Sequence, residues 1–176
     1  ETLFFALKTK RNDGHKYLSD LYERGVRNFV VSELPENMDH YENTNFLQVP
    51  YPLKALQRLV EKYRLQFDVP VIGVTGSNGK TVVKEWLYQL LSPERIITRS
   101  PRSYNSQIGV PLSVWLMNDK TELGIFEAGI SEMGEMEALQ SIIRPTIGIL
   151  TNIGGAHQEN FYSVPDKCME KLTLLK

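Results

Sequence analysis

The sequence predicts an α/β protein: a small N-terminal α/β part, then a phosphate-loop part built on a mostly parallel, doubly wound sheet. Three observations carry that expectation. Short apolar runs alternate with amphipathic helical stretches along the chain, and parallel strands need such crossovers between them. The run VPVIGV at 69–74 lacks polar alternation, as a strand buried on both faces should. A Gly-rich turn ending in Lys-Thr follows it, and a helical stretch follows the turn.

In order, TLFFAL at 2–7 reads as a strand and NDGH at 12–15 as a turn. In KYLSDLYERG, Tyr17, Leu18, Leu21 and Tyr22 have helical spacing, with Gly25 at the stop position. NFVVS at 28–32 is a strand, the polar stretch 33–45 a loop, and FLQV at 46–49 a further strand. Pro52 opens a helix at its favoured first position, with Leu53, Leu56, Leu59, Val60 and Tyr63 as the apolar face. The alternation then restarts, so a boundary is expected between domains 1–68 and 69–176. Beyond it come a helix from Lys80 to Leu91, a strand at 95–99 and a short helix from Pro111 to Met117. A strand at 123–129, a helix at 134–143, a strand at 146–152 and a helix over 163–175 complete the series. Trp86, Leu87, Leu90 and Leu91 are expected in the core.

Composition narrows the class. The chain has 176 residues, 41% hydrophobic and 23% charged, which suits a folded soluble protein. Residues 1–68 carry ten charges of each sign, and 69–176 carry ten basic and eleven acidic, for a net charge of −1. Without a basic arm, nucleic-acid binding is not expected. No apolar run approaches the roughly 20 residues of a membrane helix, so no membrane insertion is expected. Cys168 is alone, which excludes an internal disulfide and a CxxC metal site. It reads as a packed side chain, and cytoplasmic localisation is expected.

The strongest motif is VIGVTGSNGKT at 71–81. A triphosphate needs close backbone approach, which Gly76 and Gly79 allow. The N–H groups of Thr75, Gly76, Ser77, Asn78 and Gly79 and the helix N-terminus can then face phosphate oxygens. Lys80 can reach the β and γ phosphates, and the Thr81 hydroxyl can ligate Mg²⁺. Val74 stands where the usual pattern wants its first Gly, so the loop is a shortened form. Glu127 closes the run LGIFE, and ligands of parallel sheets sit beyond such strand ends. It is either a Mg²⁺ ligand with Thr81 or a surface acid. His157, in TNIGGAHQENF, reads from spacing alone as an ordinary loop histidine, and Lys171 as part of a solvated helix face. Asn105 and Gly109, in the polar loop SYNSQIGVP, are candidates for ligand contact.

TGSNGKT at 75–81, SYNSQIGVP at 103–111, EAGISEMGEM at 127–136 and LTNIGGAHQENF at 150–161 fall in order along a pattern that resembles the Mur ligase family of ATP-dependent amide ligases. The missing first Gly is itself a family trait. The front, LFFALKTKRNDGHKYLSDLYERGVRNFVVSE, resembles the late part of a UDP-sugar-binding domain. The stretch after Glu127 resembles the branch that joins D-Ala-D-Ala to UDP-MurNAc-tripeptide; the serine- and histidine-containing segment of the branch adding the third peptide residue is absent. The resemblance implies ATP and Mg²⁺ as cofactors, those two compounds as substrates, and an acyl-phosphate mechanism of peptidoglycan precursor synthesis. By position, it makes Lys80, His157 and Lys171 the catalytic candidates. It makes Thr81 and Glu127 ligands of one Mg²⁺, His157 a contributor to a second, and Lys171 a lysine able to carry a carbamate and ligate metal. It also implies a longer enzyme, beginning upstream of Glu1 and continuing past Lys176, with fusion to an alanine racemase module in some relatives. Two other readings compete: a sister ligase of the folate polyglutamate type, and a nucleotide-binding module without catalysis.

Overall fold

The computed structural model describes residues 2–9, 12–154 and 160–176. They form two compact units, Glu1–Leu56 and Gln57–Lys176, each a mixed α/β assembly around a parallel sheet.

In the first unit, β1 (Leu3–Phe5), β2 (Asn28–Val31) and β3 (Asn45–Gln48) pair in that order, all parallel. The predicted first helix divides into a 3₁₀ turn, Gly14–Tyr17, and α1, Leu18–Glu23. Asp13 caps the turn by accepting from the His15 backbone N–H at 3.0 Å, satisfying a donor that the helix start leaves free. Ala6, Leu18, Phe29 and Val31 form the core, with Phe4, Leu21, Tyr22 and Phe46 packed on it. Phe29 and Phe46 stack across the β2–β3 register, ring centroids 5.2 Å apart.

α2, Pro52–Arg64, starts where Pro52 predicts. The chain divides between units within it, after Leu56, where the restart of the alternation suggests a break after Asp68. Its last turns are tied into the second unit. The Tyr63 hydroxyl donates to Met117 O at 2.5 Å, and the buried Arg64 guanidinium donates to Ile143 O at 3.0 Å and Phe67 O at 2.6 Å. Burial lowers the Arg64 pKa, and nearby Arg144 adds to the effect.

The second unit holds β4 (Val71–Thr75), β5 (Ile97–Arg99), β6 (Leu123–Glu127) and β7 (Ile147–Leu150) in the order β5-β6-β4-β7, all parallel. Every residue of β4 and β6 is buried, as their unbroken apolar runs require. β4 sits where the order turns back: β6 and β5 lie to one side of it and β7 to the other. Such a reversal opens a crevice at the carboxyl ends of the strands.

α3, Lys80–Leu91, covers one face. Its Val83, Leu87 and Leu91 pack on Ile72, Val74, Leu123 and Ile125. Trp86 and Leu90, expected in the core, are instead 64% and 74% exposed. With Val82 they form a second apolar stripe at four-residue spacing, turned away from the sheet; a helix hydrophobic on two faces can bury only one here. On the other face lie α5 (Glu135–Ile143), α6 (Val164–Leu172) and a closing 3₁₀ turn, Thr173–Leu175. Leu174 and Leu175 press on Gly73 and Gly148, where larger side chains would collide with them. α4, Gly109–Val114, begins ahead of the expected Pro111, which occupies its first turn. Among the described residues, no helix is long and apolar enough to cross a membrane.

Candidate functional site

The turn between β4 and α3 is held open by two glycines in conformations other residues rarely adopt, Gly76 at φ +142° and Gly79 at φ +80°. The chain beyond β7 braces it from outside. Ser77 N donates to Asn152 O and Asn78 N to Asn152 Oδ1, both at 2.9 Å. Thr151 Oγ1 donates to Asn78 O at 2.5 Å, and Gly154 N donates to Ser77 Oγ at 2.9 Å. Thr75 Oγ1 donates to Ala128 O at 2.9 Å, tying the turn to β6. Lys80 leaves the first helical position and donates from Nζ to Gly76 O at 2.8 Å. Burial lowers its pKa, opposed by the Glu127 charge.

Glu127 ends β6 fully buried, with its two oxygens turned to different partners. Oε2 accepts from Thr81 Oγ1 at 3.1 Å and from Asn105 Nδ2 at 3.4 Å. Oε1 lies 3.1 Å from Lys84 Nζ. That contact is an ion pair without hydrogen-bond alignment, since Oε1 has no hydrogen-bond partner. A buried carboxylate with one oxygen left over is costly unless a cation faces it. From the opposite side, α6 turns Lys171 toward the loop, its Nζ 3.4 Å from Gly76 O. Burial, with the charges of Lys80 and Lys167, brings its pKa down to about 8.

A cavity of about 140 Å³ lies among Gly76, Lys80, Asn105, Ser106, Ser131 and Lys171. A larger groove, about 700 Å³, lies beside Val69 and Thr146, which precede β4 and β7. That is the amino end of the sheet, away from every phosphate-binding group, so the smaller cavity is the candidate site.

The sequence profile of the Mur ligase middle domain matches residues 74–176. The chain belongs to the Mur ligase family. It is 34% identical to UDP-N-acetylmuramoyl-tripeptide–D-alanyl-D-alanine ligase of Bacillus subtilis, over 98% of this chain and 37% of that protein. Identity to the enzyme of the same name from Borreliella burgdorferi is also 34%, over 99% of this chain and 39% of the relative. Among solved structures, MurF from Acinetobacter baumannii superposes with a TM-score of 0.89 at 27% identity, over 98% of this chain and 37% of that one. The MurF ligase of Thermotoga maritima in complex with ADP gives 0.87 at 30% identity, over 99% and 40%. The chain thus spans about two-fifths of the length of these relatives.

In this Mur ligase chain, the structure brings Lys80, Thr81, Glu127, Asn105 and Lys171 around one loop. Lys171, which spacing alone places on a solvated face, is buried. His157 lies outside the described residues. Gly109 does not line the cavity. It starts α4 against Tyr104, where a Cβ would stand 3.0 Å from backbone atoms, so its place is in packing the loop that carries Asn105. Reading the sequence missed Lys84, Lys167, Thr151 and Asn152. Lys84 was hidden because a lysine in a helix normally faces water. The Thr-Asn pair was visible as the end of a strand, and the location rule that marks Glu127 applies to it equally.

Among the described residues, no three His, Cys, Asp or Glu side chains converge on a metal position. One carboxylate beside one hydroxyl is nevertheless a fitting donor set for Mg²⁺, which keeps waters and takes its remaining oxygens from phosphate.

Proposed function

We propose that this chain is the ATP-binding core, with part of the sugar-nucleotide domain, of an enzyme that joins D-Ala-D-Ala to UDP-MurNAc-tripeptide at the expense of ATP. The observation that carries this reading is the convergence of Lys80, Thr81, Glu127 and Lys171 on one phosphate loop, in a chain one-third identical along nearly its whole length to ligases of that name. ATP- and UDP-linked substrates place the reaction in the cytoplasm.

The chemistry joins a carboxylate to an amine through phosphoryl transfer. A carboxylate oxygen of the tripeptide attacks the γ-phosphorus; the bond to the β-phosphate oxygen breaks and ADP leaves. The amine of D-Ala-D-Ala attacks the resulting acyl phosphate, loses a proton, and expels phosphate as the amide forms. Two anions must meet in the first step, so the barrier depends on positive charge already in place. The loop N–H groups bind the phosphates, and Lys80 releases Gly76 O to neutralise the β and γ oxygens. Thr81 and Glu127 would hold Mg²⁺, which polarises the transferring phosphoryl group. His157 is assigned to a second Mg²⁺ by its position in the motif. Lys171, with a pKa near 8, has an accessible neutral form able to attack CO₂. The ammonium would first give up one proton; an N–C bond would then form and a second proton leave, converting a cation beside the loop into an anionic ligand.

The test is phosphate release by the full-length protein with ATP, Mg²⁺ and UDP-MurNAc-tripeptide, with and without D-Ala-D-Ala. Release that requires both substrates is expected. ATP binding without release would move the assignment to a non-catalytic module, and release with glutamate and a folate acceptor would move it to the sister ligase.

A further inference from the structure

Lys84 is fully buried on α3, one turn beyond Lys80. Four oxygens surround its Nζ. Glu127 Oε1 stands at 3.1 Å and Glu85 Oε1 at 3.0 Å. Ser100 O accepts at 2.8 Å, and Arg102 O also accepts. Of the three protons an ammonium can give, two go to these carbonyls, and the carboxylates of Glu127 and Glu85 balance the charge. The carbonyls belong to the segment leading from β5 to Asn105. Ser100 also accepts the Glu127 backbone N–H through Oγ at 3.1 Å, and Arg102 turns the chain there at φ +49°. Glu85 is in turn paired with Arg99.

Lys84 thus ties together, on the Oε1 side, three elements that also meet at Oε2: α3 with Thr81, the segment that carries Asn105, and the end of β6 with Glu127. Of the two Glu127 oxygens, its charge faces Oε1. Oε2 is left toward Thr81 and Asn105, the side on which the loop binds phosphate. Burying an ammonium merely to complete a core is unfavourable against an apolar residue of the same size. Here the ammonium instead fixes the orientation of a carboxylate that the reaction uses.

We propose that Lys84 is a positioning residue for the Mg²⁺–nucleotide site: by holding Glu127 Oε1 it presents Oε2, with Thr81, as a preset one-oxygen ligand. The proposal rests on the functional reading above, in which Glu127 holds the metal.

The test is calorimetric binding of ADP, with and without Mg²⁺, to the full-length protein. The variants are Lys84→Met, Lys84→Gln, Glu127→Gln and the double variant Lys84→Met/Glu127→Gln, each with a thermal melt. Residues that orient a metal ligand typically affect metal affinity by about 10–100-fold. Lys84→Met and Lys84→Gln should therefore lose about tenfold or more of the Mg²⁺-dependent gain in ADP affinity, while binding of ADP alone changes by no more than about twofold. The double variant should bind no worse than Glu127→Gln, because the lysine acts through that carboxylate. It leaves no unpaired charge, so it also reports if a single variant unfolds. A lowered melting temperature with the Mg²⁺ gain intact, or additive losses in the double variant, would overturn the proposal. A wild-type protein that binds ADP but gains nothing from Mg²⁺ would overturn the metal reading itself.

Discussion

Replacing Gly76 by alanine should dismantle the phosphate turn, and the cost can be worked from geometry. A Cβ built at residue 76 would lie 2.0 Å from Thr151 Oγ1 and 3.1 Å from both N and O of Asn152. The threonine hydroxyl cannot simply swing away, because it is held by Asn78 O at 2.5 Å and Thr75 O at 3.3 Å. The φ of +142° adds backbone strain of about 1–3 kcal/mol for any residue with a Cβ. Moving Thr151 gives up hydrogen bonds worth about 1 kcal/mol each. The sum is about 2–5 kcal/mol, or roughly 5–15 °C of melting temperature at this chain length. Gly79→Ala is the control. Its φ of +80° carries a similar class of strain, but its nearest neighbour is Thr151 Cβ at 3.9 Å, so about 1–2 kcal/mol is expected. Melting curves and Mg²⁺–ADP titrations of both variants decide the matter. Gly76→Ala should be the less stable and should bind at least about a hundredfold more weakly, since several N–H groups lose their aim together. Adding Thr151→Ala to Gly76→Ala should cost less than the sum of the single changes. Equal behaviour of the two glycine variants would refute the collision argument.

Lys80→Ala should reduce turnover of the full-length protein by about 10²–10³-fold; a steady-state rate above about a tenth of wild type would contradict its role. The Lys171 amine is held near 8 when folded against an ordinary 10.5, so the unfolded chain binds more protons between those values. Stability should therefore rise as pH rises through that window, and the advantage of Lys171→Met over wild type in urea unfolding should shrink from about pH 7.5 to about pH 10. A carbamate on Lys171 should give a ¹³C resonance from labelled bicarbonate that is absent in Lys171→Met; its absence from wild type as well would remove the modification from the reading. Arg64→Met should destabilise the protein by about 2–4 kcal/mol in denaturant melts, because Ile143 O and Phe67 O lose a buried charged donor; a loss under about 0.5 kcal/mol would contradict the assigned contacts.

The parts of this molecule that can be read from sequence are the ones whose cause is local. α3 runs over Lys80–Leu91 as its spacing indicates, and β4 and β6 follow from apolar runs that leave no face for water. The phosphate turn is legible because its glycines, lysine and threonine are contiguous. Glu127 is legible because a strand end has a fixed meaning in a parallel sheet. What stays hidden depends on distant partners. Periodicity shows that α3 has two apolar stripes but not which one meets the sheet, so Trp86 and Leu90 were misplaced. Lys84 is buried only because Glu127 and the carbonyls of Ser100 and Arg102 surround it, and nothing near it in sequence announces them. The division of α2 between units likewise reflects where Tyr63 and Arg64 find acceptors, at the distant carbonyls of Met117 and Ile143.

The bracing of the phosphate turn by Thr151 and Asn152 also sets an order of events during synthesis and folding. The turn emerges early, yet its clamps lie a long stretch of chain later, and closing such loops is what makes parallel sheets slow to assemble. Until β7 docks beside β4, the glycine turn has no wall behind it and no fixed direction for its N–H groups. Nucleotide can then recognise only the finished sheet. It would act as a late lock, adding about 2.7 kcal/mol when present at a hundred times its dissociation constant, so that the folded protein outlasts its empty form wherever nucleotide is plentiful.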